Sequence, residues 1–140
     1  MNILITGAKG FVGKNLIAGL KNIRDNETKI GGISNEINLF EYDVDTDKAL
    51  LDSFCKEADF VFHLAGVNRP KEQAEFMEGN FGFTSELLNT LKKYQNGCPV
   101  MISSSTQAAL NNAYGKSKKA GEDLMLAYAQ ETGAKVLIYR

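Results

Sequence analysis

The chain opens on a short continuous apolar run, Ile3-Leu4-Ile5, and four more such runs follow, separated by longer stretches whose apolar residues return every three or four positions. Short apolar runs suit strands covered on both faces, and the longer period suits amphipathic helices. Residues 1–6 read as a first strand and 11–23 as a helix, with Phe11, Leu16, Ile17 and Leu20 at helical spacing. A second strand is expected over 37–42, where Ile37, Leu39 and Phe40 suit buried positions, a third over 60–64, a fourth over 99–102 and a fifth over 135–139. Between them, a helix starts at Thr46 or Asp47 as cap and runs to about residue 56. Another spans 76–94, with Phe83, Leu87, Leu88 and Leu91 along one side and Asn96-Gly97 as its stop, and a last one spans 113–131, closed by Gly133. The polar stretch 24–36, with Gly31-Gly32, is a longer connection, and Asn68-Arg69-Pro70 breaks the chain after the third strand. Strands joined through helices form parallel units with right-handed crossovers, so the expected fold class is α/β: a doubly wound parallel sheet with helices on both faces.

Composition narrows this picture without redirecting it. At 140 residues, 44% hydrophobic and 24% charged, the chain suits one globular domain over residues 1–140. A formal net charge of −1 with no dense Lys/Arg block lacks the electrostatic footprint of a nucleic-acid binder. No apolar run approaches the length of a membrane span and the N-terminus lacks a signal-peptide layout, so no membrane partner and a cytoplasmic location are expected. Cys55 and Cys98 stand apart without metal-ligand spacing and His63 is the lone histidine, so reduced thiols, a core histidine and no metal are expected.

Ligands on a doubly wound sheet bind beyond the carboxyl ends of the strands, so the informative residues are those just after each strand. After the first comes Thr6-Gly7-Ala8-Lys9-Gly10-Phe11-Val12-Gly13, with glycines at GxxGxxG spacing. Gly7 permits the sharp turn, Gly10 lets backbone approach a diphosphate, and Gly13 lets the helix pack closely. The unpartnered amides at the helix start, at the positive end of its dipole, stabilise that diphosphate. Asp43 follows the second strand, Ala65-Gly66-Val67 the third and Ser103-Ser104-Ser105-Thr106 the fourth. An acidic residue after strand two commonly bonds a ribose diol, which makes Asp43 an argument for NAD. On the last helix, Tyr114 and Lys118 stand one turn apart on one face. A cation held near a phenol favours the phenolate and brings it toward the working range of a general acid.

The order of glycine loop, Ala-Gly strand end, serine cluster and YxxxK pair resembles the N-terminal part of the extended short-chain dehydrogenase/reductase superfamily. The resemblance covers all 140 residues and implies a Rossmann-like NAD(P)-binding domain at the front of a longer protein. It implies that Gly7, Gly10, Phe11, Val12, Gly13, Asp43, Val44, Leu64, Ala65, Gly66, Tyr114 and Lys118 contact the cofactor. Ser105, Tyr114 and Lys118 are then the catalytic set, and Asn80 is a structural asparagine. Residues 63–70 and 103–108 look like a capsular-polysaccharide subgroup that couples such a domain to a C-terminal cupin epimerase. That subgroup implies NAD(P)H-dependent reduction of a UDP-linked 4-keto-6-deoxy-N-acetylhexosamine, with a nucleotide sugar as substrate and a homodimer of the full-length protein. A nucleotide-sugar epimerase or dehydratase with tightly bound NAD, and a non-catalytic dinucleotide-binding module, remain open alternatives. The subgroup favours NADPH, whereas Asp43 favours NADH unless Asp43-Val44 instead holds the adenine. Phe76, Phe81 and Phe83 are expected to pack rather than stack on adenine, and Arg69 to be an exposed loop residue.

Overall fold

The computed structural model describes residues 1–25, 36–66 and 71–140, so Gly31-Gly32, Val67 and Asn68-Arg69-Pro70 lie outside the described residues. Five strands form, β1 (Asn2–Thr6), β2 (Asn38–Tyr42), β3 (Phe60–His63), β4 (Val100–Ser103) and β5 (Val136–Tyr139). They pair in parallel in the order β2-β1-β3-β4-β5. Successive side chains on a strand point to opposite faces, and both faces of β1 are apolar. Leu4 joins one core cluster, while Ile3 and Ile5 join the other.

Helices cover the two faces. On the Ile3/Ile5 side, α1 (Phe11–Asp25) seats Ile17 and Leu20 on the sheet. On the Leu4 side lie α2 (Lys48–Glu57), α4 (Phe83–Lys93) and α5 (Ala113–Thr132), which bring Leu51, Leu87, Leu91, Met125 and Tyr128 into one cluster. Leu87, Leu91 and Met125 are wholly buried, each worth about 1.5–3 kcal/mol relative to an exposed position. The ion pairs Lys93–Asp52 and Lys119–Asp123 lie on the surface and contribute little beside that core.

Two predicted elements take a different form. The helix expected over 76–94 begins as α3 (Ala74–Met77), passes through a π turn at Glu78–Gly82 and only then becomes α4. The extra residue of the π turn turns Asn80 inward, where it is buried. Nor does Asn96-Gly97 supply the helix stop: Gln95 takes the left-handed position, with φ +52°. The Asn96 amide reaches back to the Leu91 carbonyl and the Gln95 amide to that of Lys92, the paired bonds of a Schellman cap. Asn96 is needed elsewhere, since its side-chain amide donates to the carbonyls of Cys55 and Ala58 at the end of α2. Gly133 does close α5, at φ +74°, and Asp47 does cap α2, accepting from the Ala49 amide. A short 3-10 turn at Thr106–Ala109, unforeseen in the sequence, follows β4.

Left-handed backbone disfavours any residue with a Cβ by about 1–2 kcal/mol, and Gln95 is exposed. Gln95→Gly is therefore expected to stabilise the chain by about 1 kcal/mol, read as a higher urea midpoint at unchanged m-value.

Candidate active site

The chain leaves β1 for β2 in one direction and crosses to β3 in the other, so the sheet's switch point lies between the carboxyl ends of β1 and β3. Three backbones crowd together there. Gly7 turns at φ +72°, and a Cβ on it would sit 2.7 Å from the Ala65 nitrogen; one on Gly13 would sit 2.2 Å from the Gly7 carbonyl oxygen. Only glycine fits at either place, and the result is a strand, a tight turn and a helix start pressed against the end of the neighbouring strand. The Lys14 amide closes the first helical bond onto Gly10.

Beside this turn lies a cleft of ≈ 260 Å³ lined by Gly7, Tyr42, Asp43, Val44, Ala65 and Gly66 among others. Phe83 also walls it while stacking on Tyr42 at 5.6 Å, so this phenylalanine both packs and faces the ligand space. Val44, which lines it, is 99% exposed, and Phe11 and Val12 on the first turn of α1 are exposed as well. Asp43 is committed within the protein: one carboxylate oxygen accepts the Lys9 amide at 2.7 Å and the other the Val44 amide at 2.8 Å. That ties the glycine loop to the turn after β2, and Lys9 adds an ion pair with Asp45 on the surface. A larger hollow of ≈ 340 Å³ lies at the amino ends of β4 and β5, beside Gln95 and Thr132, away from every residue with candidate chemistry.

The helix α5 brings the reactive side chains to the same end of the sheet. Asn112 caps it by accepting the Gly115 amide at 2.6 Å. A Cβ at Gly115 would sit 2.1 Å from the Gln107 carbonyl, so the first turn of α5 lies flat on the 3-10 turn. Ser105 caps that turn, its hydroxyl oxygen accepting the Gln107 amide at 3.1 Å, which leaves its proton free to donate outward. Lys118 reaches the Ser103 carbonyl at 3.3 Å and lies 5.8 Å from the centre of the Tyr114 ring, with Phe76 edge-on to the same ring at 5.4 Å. Ser103, Tyr114 and Lys118 thus share contacts, and Ser105 stands on the adjoining turn. Burial holds the Lys118 ammonium below the usual lysine range.

Behind these residues runs a buried polar line that sequence reasoning missed apart from His63 and Asn80. The Ala65 amide meets the Thr6 hydroxyl at 3.3 Å, Thr6 meets His63 Nδ1 at 2.7 Å, and His63 Nε2 meets the Thr84 hydroxyl at 2.7 Å. Thr84 donates to the Asn80 carbonyl at 2.8 Å; the Asn80 side-chain amide donates to Ser117 at 3.0 Å, and Ser117 to the Tyr114 carbonyl at 2.7 Å. Thr84 was detectable as a hydroxyl on the apolar stripe of Leu87, Leu88 and Leu91. A second missed group is Glu122, one turn beyond Lys118. Its buried carboxylate accepts Ser104 at 2.6 Å and both Nε and Nη2 of Arg140 at 2.9 Å, and the Arg140 guanidinium holds its carboxyl below the usual carboxylate range.

The parallel order, glycine turn and Tyr114–Lys118 pair define a dinucleotide-binding domain of the short-chain dehydrogenase/reductase type. The sequence profile of the NAD dependent epimerase/dehydratase family matches residues 3–140, and the chain belongs to that family. It is 36% identical over 140 residues to UDP-2-acetamido-2,6-beta-L-arabino-hexul-4-ose reductase of Pseudomonas aeruginosa, covering all of this chain and 35% of that protein. Among solved structures, the capsular polysaccharide assembling protein CapF of Staphylococcus aureus is similar, with TM-score 0.79 and 44% identity over all of this chain and 35% of that one. RMD of Pseudomonas aeruginosa complexed with NADPH matches with TM-score 0.72 and 26% identity over 98% of this chain and 52% of that one. The chain spans about a third of the length of the first two.

Burial, with the Lys118 charge adding to it, pushes the His63 imidazole down to about 3. The unfolded chain then binds a proton near pH 6.5 that the folded chain refuses, so stability is full above that pH and falls as pH drops below it toward 3. The expected slope from His63 approaches about 1.4 kcal/mol per pH unit, measurable as ΔG from urea unfolding between about pH 6.5 and pH 5, above the range where Glu122 titrates.

Proposed function

We propose that residues 1–140 form the cofactor-binding and proton-donating domain of a longer NADPH-dependent reductase. Its substrate on this reading is a UDP-linked 4-keto-6-deoxy-N-acetylhexosamine, reduced in the cytoplasm as a precursor of capsular or other cell-surface polysaccharide. The observation that carries the reading is the Tyr114–Lys118 pair at the carboxyl ends of β4 and β5, in a chain 36% identical to a reductase of that sugar class.

The residues present fit a dinucleotide. The glycine turn offers amides and a Cβ-free surface beside the first turn of α1, and the cleft walled by Val44 and Phe83 is apolar enough for an adenine ring. When bound, the nicotinamide supplies the hydride that converts the C4 carbonyl carbon to a carbinol. The chain's own residues handle the oxygen. Tyr114 gives its phenolic proton to that oxygen as negative charge develops, and Ser105 donates a hydrogen bond to the same atom. Lys118, anchored on the Ser103 carbonyl, keeps a positive charge near the phenol as it loses its proton. Asp43 holds two backbone amides and keeps further lone pairs at the cleft, so the preference for NADPH over NADH rests on the resemblance carried by residues 63–70 and 103–108 rather than on Asp43.

Three measurements test this. In the full-length protein, Tyr114→Phe is expected to lower NADPH oxidation by a UDP-4-keto-hexosamine by at least about a hundred-fold while cofactor affinity stays within about two-fold. Product formed without net NADPH consumption would instead identify an epimerase or dehydratase that recycles its hydride. Titration of NADPH against NADH should show tighter binding of NADPH; equal or tighter NADH binding overturns that preference. A Cβ at Gly66 would sit 2.7 Å from Asn80 Oδ1 and 3.0 Å from Lys118 Nζ, two side chains held in place by Ser117 and the Ser103 carbonyl. Gly66→Ala should therefore displace them, lowering stability by about 1–3 kcal/mol as read by urea unfolding and weakening NADPH binding by about ten-fold as read by fluorescence titration.

A further inference from the structure

Thr6, His63, Asn80, Thr84, Ser117 and Glu122 are the buried polar or charged side chains among the described residues, and five of these six lie on the single line from Ala65 to Tyr114. Buried polar groups are costly unless every donor and acceptor is matched, so the line can be read proton by proton. A threonine hydroxyl has one proton to give. Thr84 gives its proton to the Asn80 carbonyl, so at 2.7 Å from His63 Nε2 it can only accept, and Nε2 carries a hydrogen. Thr6 accepts the Ala65 amide and gives its proton to His63 Nδ1, which is then bare. This assignment gives each of these short contacts one proton. In the reverse tautomer Thr6 accepts from both Nδ1 and the Ala65 amide, so none of these contacts takes the Thr6 proton, and Thr84 gives its proton to Nε2 in place of the Asn80 carbonyl.

We infer that this one-way line, with His63 locked as the neutral Nε2–H tautomer at its centre, fixes Tyr114 relative to the glycine turn, and that His63 and Thr84 are positioning residues for proton transfer. Its two ends explain the role. Ala65 is the residue pressed against Gly7 at the cofactor turn, and the Tyr114 carbonyl is the foot of the proton donor. Between them the line crosses β1, β3, α4, the π turn and α5. A displaced link shifts the phenol against the cofactor without touching either, and errors of that size cost up to about a hundred-fold in rate. The charged group that acts on the imidazole from outside the line is Lys118, and its positive charge opposes a second proton on His63.

The role assigned to Tyr114 rests on the reductase reading, and the test separates the two. His63 is the sole histidine, so its ring nitrogens in 15N-labelled chain give unambiguous signals. The expected result is a neutral Nε2–H imidazole unchanged between about pH 5 and pH 8. An Nδ1–H ring, or one that titrates in that range, overturns the inference. Thr84→Val removes the link at constant shape and Thr84→Ser keeps it. The valine variant should move the Tyr114 ring signals and, in the full-length protein, lower kcat about ten-fold with the keto-sugar KM within about two-fold, while the serine variant restores both. Tyr114 signals unmoved by Thr84→Val overturn the positioning role even if the variant is less stable. A full-length protein without reductase activity overturns the reductase reading alone, and the imidazole and Tyr114 signals still decide this one.

Discussion

The contact between the turn after β1 and the end of β3 is the constraint on which the rest of the structure depends. Gly7 and Gly13 have no room for a Cβ because the Ala65 backbone and the loop's own carbonyl already occupy it. That crowding brings the first turn of α1 close to the sheet and aims its free amides at the space above the switch point. The cleft lined by Gly7, Val44 and Ala65 and the path of β3 into Ala65-Gly66 follow from it. Asp43 reinforces the same contact from the other side, by holding the Lys9 amide.

A second requirement is that α5 arrive at the right depth. Its small residues allow this: Gly115 lies on the 3-10 turn, and a Cβ at Gly121 would meet the Asn80 carbonyl at 3.2 Å. Tyr114, Lys118 and Glu122 then stand on one helix face, four residues apart, and Lys118 and Glu122 find their partners at the ends of β4 and β5. Lys118 loses solvation to stand there, and the Ser103 carbonyl offsets part of that cost. Glu122 instead is well matched, and through Ser104 and Arg140 it fastens the strand ends that flank Ser105.

The interior polar groups are therefore not scattered. The apolar clusters on either side of the sheet supply the bulk of the stabilisation, whereas the hydrogen-bonded line through His63 supplies specificity, because it is satisfied in one arrangement of β1, β3, α4 and α5. A half-satisfied version would leave a buried hydroxyl or imidazole without a partner, which penalises any slip between those elements. The π turn belongs to the same requirement: it places Asn80 where its carbonyl meets Thr84 and its side chain meets Ser117.

Much of this was legible along the chain. Short apolar runs set between helical periods determined five parallel strands and the helices between them, and Asp47 and Gly133 marked helix ends, because these depend on neighbours a few residues away. The glycine spacing, the serine cluster and Tyr114 with Lys118 marked the candidate site for the same reason: a turn, a strand end and one helical turn are local geometry. What the sequence could not determine was decided by contacts between distant segments. Gln95 takes the left-handed position in place of Gly97 because the Schellman bonds end α4 at Lys93 and Asn96 is drawn to the end of α2. The helix over 74–93 takes a π turn because Asn80 must face Ser117, 37 residues away. Asp43 turns to the glycine loop, 34 residues back, and His63 becomes a linked tautomer only when Thr6 and Thr84 close on its two nitrogens. Local pattern fixes which elements form, and tertiary packing decides where each buried polar atom finds its partner, since only the folded chain brings donor and acceptor together out of water.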